Sequence, residues 1–326
     1  MKKKEVCSLF SGAGGMDLGF TQAGFDIIWS NEFDKNIWAT HEKNFKNTIL
    51  SKENILNIDE KTIPDCIGII GGPPCQSFSE AGAKRGTNDP RGLLFWEYIR
   101  VLKEKQPLFF VAENVPGLLS ERHKADLEGF IKAFKSAGYK VSYRIYKASQ
   151  FGVAQDRERV IFVGYRKDLN KTFTPPEADL ENTLTLKDVI DNMPTPLGTK
   201  NGQTQTSSPL SNHEYMTGGF SSMFMSRNRV RSWNEASFTI LATARQIPLH
   251  PQAPKMRNIG KDKFEFIPDY EYRRLSVREC ARIQGFPDDF VFVYNKIEDG
   301  YKMVGNAVPV ELARRIALQI KKDLFD

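Results

Sequence analysis

The chain has few of the residues on which metal-binding and disulfide-bonded proteins depend. Its 326 residues include four cysteines and four histidines, scattered singly along the sequence. No two cysteines form the C-x-x-C pair typical of zinc sites, and their scatter does not suggest a disulfide framework. We therefore expect free thiols and no bound metal.

Long apolar runs are also missing. No stretch approaches the ~20 residues that a membrane-spanning helix requires, and the amino-terminal Met-Lys-Lys-Lys leads into a predicted strand rather than a signal sequence. The G-x-G-x-x-G pattern of nicotinamide-binding folds is absent. These absences favour a cytoplasmic protein without membrane contact, and they disfavour an oxidoreductase.

The balance of charge is mildly basic, with 46 Lys and Arg against 40 Asp and Glu, a net charge of +6. So small an excess is weak support for a polyanionic partner. Its distribution is more informative, because Arg227, Arg229 and Arg231 alternate and Arg245 follows soon after. At this length we expect about two domains.

The first half of the chain alternates short apolar stretches with amphipathic ones. This alternation is typical of an α/β fold with a largely parallel, doubly wound sheet. The predicted strands cover residues 5–10, 25–30, 66–70, 108–113, 139–146 and 160–165, and the predicted helices cover 16–23, 35–44, 93–103 and 126–136.

After Arg166 the sequence becomes rich in proline, glycine and small polar residues. Order returns with a predicted helix at 275–283, which begins with a capping box of Ser276 and Glu279. A last helix is predicted at 310–323. The predicted domains are therefore two: a Rossmann-like domain of residues 1–172 completed by 303–326, and a smaller loop-rich domain of residues 173–302.

The most informative motif is Gly71-Gly-Pro-Pro-Cys-Gln76, directly after an apolar strand. Each proline fixes its own φ and removes a donor, and the glycines let a backbone or a ligand approach closely. Cys75 is thus expected on a stiff, exposed turn, as a nucleophile would be. The alternative is that Cys75 is a small buried apolar residue, as most lone cysteines are.

A second motif, Phe10-Ser11-Gly12-Ala13-Gly14-Gly15, lies between the first predicted strand and the first helix. Glycines at this point let a ligand approach the helix N-terminus. Glu32 ends the second strand, where an acidic side chain accepts hydrogen bonds from ribose hydroxyls. The alternative is a glycine turn beside a surface carboxylate.

Two further groups suit chemistry on a polar substrate. Glu113 follows five apolar residues, so we expect it at the carboxyl end of a strand beside Cys75, placed to donate a proton. Gln155, Arg157 and Arg159 alternate with period two and could share one strand face, where their donors would suit a carboxylate, a phosphate or a base edge. The alternatives are a solvated glutamate and an ion-paired edge strand.

Together these motifs resemble the DNA cytosine-5 methyltransferase family along nearly the full length. Within the family, Met225–Arg231 and Leu249–Pro254 are most similar to HaeIII-type enzymes, which methylate GGCC. The sequence around Arg245 departs from that subgroup, and Asn54 stands where the family usually has an acidic residue. Six motifs occur in family order: Phe10–Gly15, Gly71–Gln76, Glu113–Val115, Gln155–Arg159, Arg278–Phe286 and Gly305–Pro309.

The resemblance implies methyl transfer from S-adenosylmethionine, with S-adenosylhomocysteine as product and no metal. The acceptor is carbon 5 of a cytosine flipped out of double-stranded DNA. The implied catalytic residues are Cys75, Glu113, Arg157 and Arg159. The implied cofactor-binding residues are Phe10, Ser11, Gly12, Gly14, Gly15, Glu32, Asn54, Pro73 and Asn306.

Contacts with DNA are expected from the segment after the nucleophile and from the second domain. Residues 77–91 are predicted to form a loop that closes over DNA. Because arginine placed bidentate on guanine is the commonest specific base contact, Arg227, Arg229 and Arg245 are predicted to read bases and Arg231 to bind phosphate. The predicted DNA-binding residues are Gln76, Ser79, Arg85, Arg91, Gln155, Arg227, Arg229, Arg231 and Arg245.

Two alternatives remain open. The same catalytic motifs occur in relatives that methylate tRNA, although the HaeIII-like variable region favours DNA. The chain could also be a non-catalytic DNA-binding protein, although the presence of Cys75, Glu113, Arg157 and Arg159 argues against that. We expect a monomer that protects host DNA from a cognate restriction endonuclease, which shares the site without needing to bind.

Overall fold

A computed structural model describes residues 4–74, 93–181, 183–199 and 210–326. Statements about structure refer to these ranges. The strands are β1 (Glu5–Leu9), β2 (Asp26–Asn31), β3 (Ile49–Ser51), β4 (Gly68–Gly71), β5 (Phe109–Asn114), β6 (Tyr139–Lys147), β7 (Gln155–Asp156), β8 (Glu158–Arg166), β9 (Leu197–Thr199), β10 (Glu214–Met216), β11 (Ser237–Phe238), β12 (Arg257–Gly260) and β13 (Lys263–Glu265).

The helices occur throughout the described ranges, with short 3-10 helices between them. The α-helices are α1 (Gly15–Gln22), α2 (Lys35–Asn44), α3 (Leu93–Lys105), α4 (Lys124–Ser136), α5 (Leu186–Ile190), α6 (Val277–Ile283), α7 (Ile297–Asn306) and α8 (Val310–Leu324). The 3-10 helices are Ile55–Asn57, Glu60–Thr62, Pro116–Leu119, Glu121–His123, Ala148–Phe151, Lys167–Leu169, Phe224–Ser226 and Ala244–Gln246.

A seven-stranded sheet, ordered β3-β2-β1-β4-β5-β8-β6, forms the centre of the molecule. Strands β1 to β5 are parallel, which confirms the predicted doubly wound α/β fold. Strand β8 is antiparallel to both β5 and β6. Residues 148–157 join β6 to β8, and so short a connection cannot carry the crossover that parallel strands need.

Apolar residues of the sheet pack against helices on both faces. On one face Phe20 of α1 and Ile316 of α8 belong to a buried cluster with Phe109. On the other, Phe95 of α3 packs with Phe134 of α4. The buried pattern of β5 confirms the prediction that this strand is covered on both faces.

The predicted capping box at the start of α6 is confirmed. Ser276 Oγ accepts from the Glu279 N–H at 3.0 Å, and the Glu279 carboxylate accepts from the Ser276 N–H at 2.7 Å. Helix α7 was not predicted. Its glycines, Gly300 and Gly305, weaken a helical pattern, yet each faces a neighbour so close that a Cβ would clash, Gly300 with the Tyr294 ring at 2.6 Å.

The second predicted domain shares a core with the first. Helices α5, α6 and α7 bury Ile190, Ile283 and Val304 in one cluster with Ile37 and Phe45 of the α2 region. The proposed boundary between residues 172 and 173 therefore stays a prediction. A smaller apolar cluster lies within residues 173–302, which we call the second region, and its buried members are Phe224, Val230, Leu249 and Met256.

Candidate active site

The loop after β1 leaves open space beside its backbone. Gly12 and Gly14 adopt left-handed φ values of 57° and 89°. A Cβ on Gly12 would meet nothing within 4 Å, whereas one on Gly14 would lie 2.2 Å from the Phe45 ring. Gly14 is therefore required by packing, and Gly12 leaves a backbone surface that a ligand can approach.

Glu32 follows β2 directly and is tied to this loop. The N–H groups of Gly12 and Asp34 donate to its two carboxylate oxygens at 2.9 and 2.7 Å. Burial raises the pKa of Glu32, and these backbone hydrogen bonds oppose the shift. The carboxylate is thus held in one orientation and keeps acceptor capacity for a ligand's hydroxyl groups.

Phe33 is a candidate site residue that was not among the predicted ones. Its ring is 64 % exposed and directly follows the ordered Glu32 carboxylate. An exposed aromatic ring is a stacking surface for a planar base. The available signal was an aromatic residue immediately after an acidic one at the end of a strand.

The remaining predicted cofactor residues line the same edge in different ways. Ser11 donates from its N–H to the Asn31 carbonyl at 3.0 Å. Asn54 caps a short helix by accepting from the Leu56 N–H at 3.1 Å. Phe10 has a left-handed φ of 53°, and a Cβ on Gly15 would lie 2.4 Å from the Val308 carbonyl oxygen. Pro73 is buried, whereas Asn306 is exposed.

A buried polar cluster under the loop was also missed. Asp17 is fully buried and accepts from Ser8 Oγ at 2.6 Å and Ser30 Oγ at 3.2 Å. His41 Nε2 lies 3.3 Å from the same carboxylate. These contacts join β1, β2, α1 and α2, so they fix the elements that carry the loop and Glu32.

The turn after β4 meets Glu113. A Cβ on Gly72 would lie 3.1 Å from Glu113 Oε2, so the carboxylate packs against the Gly-Gly-Pro-Pro turn. Asn114 Nδ2 donates to the Pro73 carbonyl at 3.2 Å and holds the same turn. Glu113 thus lies where it was predicted. Several predicted residues lie outside the described ranges: Cys75, Gln76, Ser79, Arg85 and Arg91.

Arg159 pairs with Glu113. Its Nε lies 2.8 Å from Glu113 Oε1, and the two side chains are 14 % and 12 % exposed. Burial lowers the pKa of Arg159, and the Glu113 carboxylate opposes that shift. The site therefore presents an oriented pair of opposite charges that solvent can reach.

Gln155 and Arg157 are fully buried, whereas the Arg159 side chain is partly exposed. Arg157 is 1 % exposed and donates to the carbonyls of Ile240, Gly305 and Ala307 at 3.1, 2.9 and 3.1 Å. Burial lowers the pKa of Arg157, and the nearby charges of Arg159 and Glu113 also act on it. A face shared by the three side chains, and their contacts with a target, remain predictions.

Of the four second-domain arginines that were predicted to contact DNA, two are engaged within the protein. Arg229 is 5 % exposed and donates from Nη2 to Gln246 Oε1 at 2.8 Å, and burial lowers its pKa to about 10. Arg231 pairs with Asp156 and Glu235, each at 3.1 Å. Both arginines have structural contacts where direct contacts with DNA were predicted.

Arg227 and Arg245 are exposed. Within the described ranges neither makes an ion pair or a side-chain hydrogen bond. The Arg229–Gln246 hydrogen bond joins the segment of Arg227 to the 3-10 helix of Arg245. The structure therefore brings these two free guanidinium groups onto neighbouring segments.

The family model for C-5 cytosine-specific DNA methylases matches residues 5–322. The chain belongs to this family. Two similar proteins are the Type II methyltransferase M.FnuDI of Fusobacterium nucleatum, 55 % identical over 99 % of this chain and 95 % of its own, and M.MthTI of Methanothermobacter thermautotrophicus, 53 % identical over 98 % of each.

The fold of this methylase is also found in solved structures. The Entamoeba histolytica methyltransferase EhMeth superposes with a TM-score of 0.73 over 100 % of both chains at 17 % identity. Among the described residues, no three His, Cys, Asp or Glu side chains are grouped to hold a metal ion. None of the helices in these ranges has the length and apolarity of a bilayer span.

Proposed function

We propose that this methylase modifies cytosine within a short double-stranded DNA sequence as the modification enzyme of a type II restriction–modification system. The Arg159–Glu113 pair carries the proposal, because it lies against the turn that leads directly to Cys75. The names of its relatives as Type II methyltransferases support the same function. The expected setting is the cytoplasm, where a monomer would act on host DNA.

The loop after β1 and Glu32 fit S-adenosylmethionine. The ordered carboxylate of Glu32 would accept from ribose hydroxyls, the open Gly12 backbone would admit the amino-acid part, and Phe33 would stack on the adenine. Asn54, beyond β3, would contact the base through its amide. When bound, the cofactor supplies an electrophilic methyl group on its sulfonium.

The chain's own residues activate the cytosine. The Cys75 thiolate adds to carbon 6 and forms an S–C6 bond, and the displaced ring electrons make carbon 5 nucleophilic. Protonated Glu113 would donate to ring N3 and stabilise the charge that develops there, and Arg159 would bind the ring carbonyl. Once carbon 5 is methylated, its proton leaves and the C6–S bond breaks, which frees Cys75.

Target recognition falls to the second domain. The cytosine must leave the base stack, at a cost of a few kcal/mol. Arg227 and Arg245 are exposed and free to bind guanine, whereas Arg229 holds their segments together. GGCC is the proposed site, because Met225–Arg231 and Leu249–Pro254 resemble enzymes of that specificity, whereas the sequence around Arg245 departs from them.

The test is to express the chain in a host without cytosine methylation and to map 5-methylcytosine by bisulfite sequencing. Methylation confined to GGCC, and lost in Cys75→Ala, would support the site and the nucleophile together. Cys66→Ala is a matched control, since Cys66 is a half-buried thiol at the other end of β4. Methylation at another motif would overturn GGCC alone, and transfer to tRNA instead of DNA would overturn the proposed substrate.

A further inference from the structure

The two-residue strand β7 lies outside the seven-stranded sheet and pairs with the second region. It pairs in parallel with β11, with Gln155 opposite Ser237 and Asp156 opposite Phe238. Arg159, the partner of Glu113, lies three residues after the end of β7. The start of β8, where Arg159 lies opposite Tyr146 of β6, therefore follows directly on a strand that the second region holds.

Gln155 makes that attachment through a buried amide. The Ile240 N–H donates to Gln155 Oε1 at 2.8 Å, and Gln155 Nε2 donates to Gln284 Oε1 at 2.9 Å. Both glutamines are 0 % exposed. Buried amides are stable only when their donors and acceptors are satisfied, so this network allows one orientation of each side chain.

Gln284 extends the network to two further helices. Its Nε2 donates to the Val304 carbonyl of α7 at 2.9 Å, and its main-chain carbonyl accepts from the Val310 N–H of α8 at 3.0 Å. Gln284 follows α6 directly. One residue thus joins the ends of α6, α7 and α8 to β7.

The main chain of α7 at Gly305 also approaches the main chain of residues 241–242 closely at this place. A Cβ on Gly305 would lie 2.4 Å from Leu241, which follows the Ile240 partner of Gln155. Arg157 donates to the carbonyls of Ile240 and Gly305 and spans the same gap. The segment directly before β8, the strand that carries Arg159, is therefore fixed to the second region by the β7–β11 pairing and by the side chains of Gln155 and Arg157.

We propose that Gln284 is a positioning residue for methyl transfer. Through its hydrogen bond to Gln155, Gln284 holds Arg159 against Glu113 while the second region binds the target. This inference rests on the proposed function, because the geometry matters only if Arg159 and Glu113 act on the cytosine. Gln284 itself is fully buried, so its proposed effect acts through Gln155 and not through direct contact with DNA or cofactor.

The test compares Gln284→Met with Gln106→Met. Methionine conserves the volume of glutamine and removes its hydrogen bonds. Gln106 is the matched control, since its amide donates to the Leu102 and Ala137 carbonyls at the opposite edge of the sheet. Both variants should lower the melting temperature, so that measurement alone does not separate positioning from stability.

The turnover number kcat distinguishes a positioning effect from a loss of stability. Gln284→Met should lower kcat between about ten- and a hundredfold, with the KM values for cofactor and DNA unchanged, because a small misplacement of catalytic groups has effects of that size. Gln106→Met should keep the wild-type kcat. If the two variants have equal kcat per folded molecule, the inference is wrong. Gln155→Met replaces Gln284→Met should the latter not fold.

Amide hydrogen exchange provides a readout that needs no methylation. Gln284→Met should speed exchange at the Arg159 and Val160 amides relative to Gln106→Met, and unchanged exchange there would overturn the inference. A wild-type enzyme that fails to methylate duplex DNA would instead contradict the proposed function, while the exchange result would still decide whether Gln284 holds this segment.

Discussion

The cofactor half and the target half of the active-site edge are built in different ways. In the cofactor half, the backbone N–H groups of Gly12 and Asp34 orient Glu32. In the target half, one side chain orients another, as Arg159 does Glu113. A site shaped by backbone depends on a short stretch of sequence, whereas one shaped by side chains depends on contacts between distant segments.

The difference predicts that the two halves respond separately to mutation. Changes in the loop after β1 should alter cofactor binding and leave the chemical step intact once the cofactor is bound. Changes around Glu113 should slow the chemical step and leave cofactor binding intact.

Glu113→Gln should have the largest effect. Glutamine keeps the size of the side chain but removes the carboxyl group that pairs with Arg159 and that is proposed to donate to ring N3. We expect kcat to fall between about a hundred- and a thousandfold, with the affinity for cofactor unchanged. Single-turnover methyl transfer and titration calorimetry measure the two quantities.

Glu128→Gln is the control, since Glu128 is an exposed carboxylate on α4. It should turn over like the wild type. Weaker cofactor binding in Glu113→Gln, comparable to its loss of kcat, would show that the two halves are not separate.

Gly14→Ala and Gly12→Ala test the cofactor half. Both residues have left-handed φ, which strains alanine by about 1–2 kcal/mol. At Gly14 the new Cβ also meets the Phe45 ring. We expect the free energy of unfolding to fall by about 3 kcal/mol for Gly14→Ala and about 1 kcal/mol for Gly12→Ala.

Urea denaturation without cofactor gives these values. Calorimetry should then show that Gly12→Ala binds the cofactor more weakly despite its small loss of stability. Equal losses of stability in the two variants would contradict the assignment of Gly14 to packing.

The same contrast explains what the sequence could predict. The glycine loop, Glu32 and Glu113 lie at strand ends, and alternating apolar stretches place strand ends well. The inward turn of Arg157 was not predictable, because its carbonyl partners Ile240 and Gly305 lie 83 and 148 residues away. No local pattern shows that these segments meet.

The arginines of the second region show the same limit. Their spacing drew attention to the segment, but it assigned all of them to contacts with DNA, Arg231 to phosphate and the others to bases. Whether Arg231 is free depends on Asp156, which lies 75 residues earlier in the chain. Exposure, not spacing, separates Arg227 and Arg245 from the others.

Arg227→Ala and Arg229→Ala sharpen this distinction. Arg227→Ala should reduce discrimination at one G·C pair by about 2 kcal/mol and leave the melting temperature unchanged. Arg229→Ala should lower the melting temperature, because it removes buried hydrogen bonds to the Phe224 carbonyl and Gln246. The measurements are kcat/KM on sites changed at single base pairs, and thermal unfolding. Retained discrimination in Arg227→Ala would remove it from the base-reading residues.

The smallest expected effect concerns Glu32 and pH. Burial raises the pKa of Glu32, so its carboxyl takes up a proton at a higher pH than an ordinary glutamate does. Only the ionised form accepts from Gly12, Asp34 and ribose hydroxyls together; affinity is therefore full above that pKa and declines below it. Calorimetry with S-adenosylhomocysteine should show roughly tenfold weaker binding as the pH is lowered through this range. Glu32→Gln should bind weakly at every pH, with a flatter profile. If the variant keeps the wild-type slope, another group titrates, and the cofactor half does not depend on the Glu32 carboxylate.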